Sequence, residues 1–301
     1  MRMLLIPALC LGLAPVCAAQ NCEARSAQLL CVAGEPWLET STTPFIRADT
    51  QCQEATCRVF THIWRLDQTG PLTKGPGGMY SNHRGIFLGW ADTIVAGNDY
   101  DSWAMSNCYQ QHKNWEHIEM GPERARQVEH IQWRNFQDKP FIEETRSFAI
   151  APGPGGSRII DFTAHLRTTA DRIELAGGPH FGGVHVRLSD EVTAHPETTR
   201  FILPAGASML DDGTAPGAWW VCAAAEVRGR RFWLMHMTSP ETTAGAPLYS
   251  ARRYGRVGAY FETAFTNARP LILRCRFVLS PEALDRAACA GLYAELVEGA
   301  S

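Results

Sequence analysis

No apolar run in the 301-residue chain is long enough to span a bilayer, so no transmembrane segment is expected. A basic stripe is missing too. The 28 Lys and Arg residues stand against 31 Asp and Glu, for a formal charge of −3. Nucleic acid and anionic membrane surfaces are therefore poor candidate partners, because both are bound through concentrated positive charge. Neither Cys-x-x-Cys nor His-Glu-x-x-His occurs. Their absence argues against thioredoxin-like redox chemistry, zinc ribbons and a helical zinc site. His112 and His117 are wrongly spaced for one helical face and read as surface residues. No metal and no cofactor is expected. The chain also lacks a linker-like stretch, and the Gly-Pro-Gly-Gly turns at Gly75 and Gly153 do not amount to a structural repeat.

The N-terminus has the form of a cleavable export signal. Arg2 precedes an apolar core from Leu4 to Val16, followed by the small residues of Cys17-Ala18-Ala19. The expectation is a signal peptide over residues 1–19 and a periplasmic or secreted product. Two of the ten cysteines fall in that leader, which leaves Cys22, Cys31, Cys52, Cys57, Cys108, Cys222, Cys275 and Cys289. An even number in an oxidising compartment favours disulfides. Cys22 with Cys31 and Cys52 with Cys57 are the natural local pairs, although spacing alone leaves the connectivity open.

Residues 20–55, cysteine-bearing and rich in Thr and Ser, read as an N-terminal layer packed on the body. Residues 56–301 read as one domain. Within it, β-branched and aromatic content predicts strands over 57–64 and 86–90. Strict alternation predicts further strands. In 127–133 it places Glu129, Ile131 and Trp133 on one side, and in 141–150 Ile142, Glu144, Arg146, Phe148 and Ile150 share a face. In 158–167, Ile160, Phe162, Ala164 and Leu166 oppose Asp161, Thr163 and His165. Beyond a Gly-Gly turn, Val184, Val186 and Leu188 alternate with His185, Arg187 and Ser189. Residues 219–227 and 231–237 flank the tight Arg228-Gly229-Arg230 turn as a hairpin, and 271–279 is the last strand. Ser280 reads as the cap of a C-terminal helix beginning at Pro281, with Gly299 just past its end. Many short strands between glycine and proline turns predict an all-β sandwich with one C-terminal helix.

The chemistry-bearing residues concentrate in Tyr80-Ser81-Asn82-His83-Arg84, which leaves a glycine-rich loop and enters an apolar run. His83 can move protons near neutral pH, Arg84 can grip a carboxylate, Asn82 can donate to an oxyanion and Tyr80 carries a phenolic proton. Asp101-Ser102-Trp103 follows nearby. Candidate acid–base groups are His83, His180, His185, Glu144 and Asp161. Candidate substrate-binding groups are Tyr80, Asn82, Arg84, Trp103, Arg146, Arg187 and Tyr254. Glu144 and Arg146, two apart on an apolar face, either form a buried structural pair or face a cleft. Nine tryptophans add possible platforms for sugar rings.

Taken in order, His83-Arg84-Gly85, Asp101-Ser102-Trp103, Trp133, Glu144-Thr145-Arg146, Ile160-Asp161, Gly182-Gly183 with Val186-Arg187, and Arg252-Arg253-Tyr254-Gly255 resemble the DUF6807 family, also labelled the PmoA family. The likeness runs from about residue 60 to 280. It implies a sandwich similar to the galactose-mutarotase-like supersandwich shared by epimerases, lyases and some glycosidases. Asn82-His83 also resembles the Asn-His of aldose epimerases. The family's Asp-His-Pro-His-His-Arg-Gly run reads Met79-Tyr80-Ser81-Asn82-His83-Arg84-Gly85 here, a departure that bears on any role needing paired histidines. The functional expectation is a carbohydrate-active enzyme of hydrolase, lyase or epimerase type with a His/carboxylate acid–base site. The alternative is a non-catalytic carbohydrate-binding or envelope protein.

Overall fold

The structure, a computed structural model, describes residues 26–243 and 245–299. The expected export signal and Cys22 lie outside the described residues. Side-chain alternation organises what is described. Along Pro140–Pro152 and Arg158–Thr168, the residues Ile142, Phe148, Ile150, Ile160, Phe162, Ala164 and Leu166 are all buried. The two strands pair antiparallel, with Phe162 opposite Phe148. They belong to an eight-stranded sheet in the order 200–202, 220–227, 230–238, 271–280, 158–168, 140–152, 125–135, 108–120.

The other large sheet also has eight strands, in the order 27–32, 35–41, 61–63, 86–90, 182–187, 256–260, 248–252, 214–215. The two sheets share one apolar core. Ile86, Leu88, Val184, Val186, Val257 and Ala259 from this sheet meet Phe148, Phe162 and Phe277 from the first. The molecule is the all-β sandwich that its turns and alternation predict. A four-stranded sheet of 263–265, 173–176, 92–95 and 98–100 flanks the pair. Ala27–Val32 and Glu35–Ser41, from the stretch read as an N-terminal layer, are hydrogen-bonded into the second sheet, the first as its edge strand and the second between it and Thr61–Ile63.

Three local readings are corrected. The C-terminal helix runs Arg286–Glu298 and is capped by Asp285, whose Oδ1 accepts from the Ala288 amide at 2.8 Å. Ser280 instead ends the last strand, and its hydroxyl closes a turn on Glu282. The helix covers the outer face of the first sheet, packing Cys289, Leu292 and Leu296 against Trp220, Met235 and Val278. Secondly, Cys108–Met120 is a long strand whose alternation is broken by register shifts at 112/114 and 115/117, which hides it from pattern reading.

Thirdly, Cys52 is disulfide-bonded, but Cys31 and Cys57 carry free thiols, as do Cys108, Cys222, Cys275 and Cys289. The local pairings Cys22–Cys31 and Cys52–Cys57 therefore do not form. Cys52 lies in the helix Thr50–Thr56 and Cys57 at its C-cap. Five helical positions turn a side chain by roughly 500°, so the two sulfurs leave on different sides. The Cys57 thiol meets the Glu54 carbonyl instead.

Candidate active site

The strand Gly182–Arg187 sends Val184 and Val186 into the core, so His185 and Arg187 face the other side of the sheet. Register then places His185 opposite Phe87 on one neighbour and Gly258 on the other, and Gly258 opposite Ser250. Two residues along, Arg187, Arg256 and Arg252 stand directly opposite one another on three adjacent strands. Residues opposite in an antiparallel ladder share a face. The outer face thus carries a row Phe87–His185–Gly258–Ser250 beside a row of three arginines. Gly258 is required by this layout, because a Cβ there would collide with the His185 ring.

Two loops cover that face. In the first, Lys74 Nζ donates to the Gly75 carbonyl at 3.2 Å and to that of Gly77, gathering the glycine turn. Arg84 donates to the carbonyls of Ser81 (3.1 Å), Ala55 (3.0 Å) and Glu54. Its guanidinium is consumed by backbone and is almost fully buried, so Arg84 anchors the loop and does not line the cleft. Tyr80 sits in the left-handed region with φ 56°, which costs a non-glycine residue about 1–3 kcal/mol. That conformation holds its ring over His83 and Tyr254, with centroids 5.3 and 4.9 Å away.

The second loop presents Trp103. Buried Arg58 donates to the carbonyls of Ser102 (2.8 Å) and Trp103, while Asp101 Oδ1 accepts from the amides of Trp103 (3.1 Å) and Ala104 (2.7 Å). The Trp103 indole meets His185 at 4.7 Å, Phe87 at 5.1 Å and His83 at 5.4 Å between ring centroids. It forms the floor, being itself only 3% exposed.

Above this floor opens a cleft of ≈ 510 Å³. That is within the range of about 300–1,000 Å³ usual for small-ligand sites. Its walls are Tyr80, Asn82 and His83 from the first loop, Asp101 and Trp103 from the second, and His180 and Phe181 ahead of the His185 strand. Arg252, Tyr254 and Arg256 complete it from one hairpin. Tyr80 (49% exposed) and Phe181 (48%) present free aromatic surface at the rim. A separate concavity of ≈ 250 Å³ between Glu39, Gln51, His62 and the glycine turn contains none of the selected site residues.

His180 is the best-connected acid–base group in the cleft. Arg256 Nη2 donates to Ser250 Oγ at 2.8 Å, which leaves the Ser250 hydroxyl hydrogen free to meet His180 Nδ1 at 2.9 Å. In that arrangement the neutral ring carries its proton on Nε2, which looks toward Asp212 Oδ2 at 3.8 Å. Partial burial, then Arg252 and Arg256, push the His180 pKa down, and Asp212 opposes them. His83 is buried more deeply, with Nδ1 sealed and unpartnered among the described residues. Burial first, then Arg256, Arg187, Arg58 and Lys74, push its pKa down to about 2. His83 is therefore a neutral imidazole at physiological pH, suited to hydrogen bonding at a substrate oxygen and not to carrying a standing positive charge.

The other selected residues lie elsewhere. His185 is fully buried beneath Trp103 and donates from Nε2 to the Gly182 carbonyl at 2.8 Å. Arg187 is sealed behind Tyr254, bonding the Tyr254 carbonyl and Thr193 Oγ1. Glu144 and Arg146 form a bidentate pair at 2.7 and 3.0 Å between the sheets, with Trp133 Nε1 donating to the same carboxylate at 2.7 Å. Asp161 pairs with Arg276 at 2.6 Å in the first sheet, away from the cleft. His112, read as a surface residue, is mostly buried and meets buried Glu129 at 3.0 Å. Arg252, Arg256, Phe181, Ser250 and Asp212 escaped selection. The spacing Arg252-x-x-x-Arg256 about a Tyr-Gly turn is a signal for two of them, since a three-residue hairpin returns both arginines to one face. Among the described residues, no three His, Cys, Asp or Glu are disposed to hold a metal, and no helix is long and apolar enough to cross a membrane.

A family model described as "Family of unknown function (DUF6807)" matches residues 40–294. No curated protein matches the sequence. Among solved structures, a GalM/aldose epimerase homologue from C. elegans is similar at 10% identity and a TM-score of 0.37, covering 85% of this chain and 98% of its own. A candidate aldose 1-epimerase from Escherichia coli K12 gives 10% identity and 0.39, covering 85% and 99%. A candidate kojibiose phosphorylase from the human microbiome gives 8% and 0.33, covering 90% of this chain but 32% of its own. At such distances only the side chains of the cleft itself bear on its chemistry.

Proposed function

The chain belongs to the DUF6807 family, and we propose that its cleft is the active site of an enzyme that moves protons on a bound sugar, in the manner of an epimerase or a lyase. The observation that carries this reading is the Arg256–Ser250–His180 chain, with Asp212 beyond it, at the wall of an aromatic-rimmed cleft. Exposed Tyr80 and Phe181 suit the apolar faces of a sugar ring. His180, held in one tautomer by Ser250, would take or give the proton. Neutral His83 and Asn82 would hydrogen-bond the oxygen on which charge develops. Hydrolysis by two carboxylates about 5–9.5 Å apart finds less support. Of the described cleft residues only Asp101 is acidic, and its oxygens already accept from Trp103, Ala104 and Ser106.

The test is His180→Gln, assayed on sugar panels by polarimetry for anomer interconversion and by ultraviolet absorbance for elimination. Turnover should fall by about 10²–10⁴-fold with the melting temperature unchanged. Wild-type rates in the variant would remove His180 from the mechanism. Sugar binding with neither reaction would leave a carbohydrate-binding protein on the same sandwich.

A further inference from the structure

Several arginines away from the cleft are answered by carboxylates. Arg146 meets Glu144 at 2.7 Å, Arg276 meets Asp161 at 2.6 Å, and Arg47 meets Asp138 at 2.6 Å. At the cleft they are not. Arg187, Arg256 and Arg252 face one another across three strands, an arrangement in which like charges repel. Arg256, 2% exposed, spends Nη1 on the His180 carbonyl (2.9 Å) and Nη2 on Ser250, both neutral, and its Nε has no partner among the described residues. Arg187 hydrogen-bonds only neutral oxygens, its one ion pair, to Asp190, is long, and its Nε has no partner among the described residues.

The nearest acids do not close the account. Asp190 stays 3.8 Å from Arg187 and is half exposed, Asp212 feels both His180 and Arg252 but is half exposed and accepts from Thr214, and Asp101 is committed to its own loop. Arg252 lines the cleft, half-buried, and no hydrogen bond or ion pair engages its side chain among the described residues. Lys74, Arg58 and Arg84 add buried positive charge behind the walls, all bonded to carbonyls. The charged groups that act most strongly on the His83 ring, Arg256, Arg187, Arg58 and Lys74, are all cations. Such an excess of buried positive charge is costly unless something negative enters.

We propose that the sugar taken by this cleft carries an anionic oxygen group, a carboxylate or a sulfate, seated against Arg252 and Arg256. The inference rests on the sugar-binding reading above and names its substrate class. A guanidinium offers two parallel N–H bonds that match either group, and in a partly dry cleft such charge-assisted bonds are strong. The anion would neutralise the arginine row and fix the ring with its reacting face toward His180.

Titration calorimetry decides the matter, using wild type and Arg252→Gln. The probes are uronic-acid disaccharides and tetrasaccharides, sulfated galactose disaccharides, and their neutral counterparts. Arg252 is half-buried at a hairpin end, so the variant should fold, as its melting curve will verify. The charged probes should bind more tightly than the neutral ones and weaken as salt rises. Arg252→Gln should lose about ten- to a hundredfold on charged probes alone, the worth of one charge-assisted hydrogen bond. Preference for one charged arm identifies carboxylate or sulfate. Neutral probes binding as tightly as charged ones would overturn the anion proposal while leaving the sugar reading intact. Charged probes binding equally to Arg252→Gln would overturn the seat assigned to Arg252. No binding by any probe would overturn both.

Discussion

Between the sheets, Arg146 lies bidentate on Glu144, faces Glu129 across the ladder, and gives its remaining nitrogen to the Val59 carbonyl at 3.2 Å. On the outer face of the second sheet, Arg256 is as deeply buried, yet it reaches only a hydroxyl and a carbonyl. The two sites use the same residue type at the same burial and differ in whether charge is balanced. A balanced buried pair contributes to the integrity of the fold, since removing one partner strands the other. An unbalanced one is a cost of folding that a ligand can relieve. Charge balance, more than burial, is what distinguishes Arg146 from Arg256.

The comparison breaks most visibly at Arg146. Arg146→Met should destabilise the protein by about 3–5 kcal/mol in urea unfolding, because Glu144 is left charged and dry. Combining it with Glu144→Leu should recover most of that loss. A single variant as stable as wild type would mean that the pair is not what holds this layer.

Acid titration sharpens the contrast by a smaller amount. Burial first depresses the pKa of His83, to about 2, of His236, to about 3, and of His185, well below its usual value. The unfolded chain binds these protons at about pH 6.5 and the folded chain does not, so stability is full above that pH and falls as pH drops below it. Between pH 6.5 and 5, above the carboxylate range, each imidazole adds a slope of up to about 1.4 kcal/mol per pH unit. Urea midpoints measured across this interval should fall, and His83→Gln should flatten the decline. A flat profile in wild type would show the rings to be protonated in the fold.

The smallest effect is expected at Arg252. In contrast to Arg146, Arg252→Gln should leave stability unchanged or raise it by less than about 1 kcal/mol, since it relieves one like-charge contact in the row. A loss comparable to that of Arg146→Met would place Arg252 among the structural arginines.

Much of this architecture was legible in the chain. Two-residue alternation alone assigns the buried faces of 140–152 and 158–168, and it puts His185 and Arg187 opposite Val184 and Val186. Tyr80, Asn82, His83, Trp103, His180 and Tyr254, all candidates from sequence, do share one cleft. Periodicity states which residues of a strand share a face, but not which strand lies beside it or what covers that face. Glu144-x-Arg146 and His185-x-Arg187 therefore look equivalent in sequence. Only the stacking of the sheets buries the first between them and turns the second toward the cleft. The arginine row was hidden for the same reason. Arg187 and Arg256 are far apart along the chain and become neighbours through antiparallel register, a property of strand pairing that no local spacing encodes. Sequence determined the alternation and the chemistry on offer; tertiary structure decided which charges would be answered, because that depends on partners brought from distant strands.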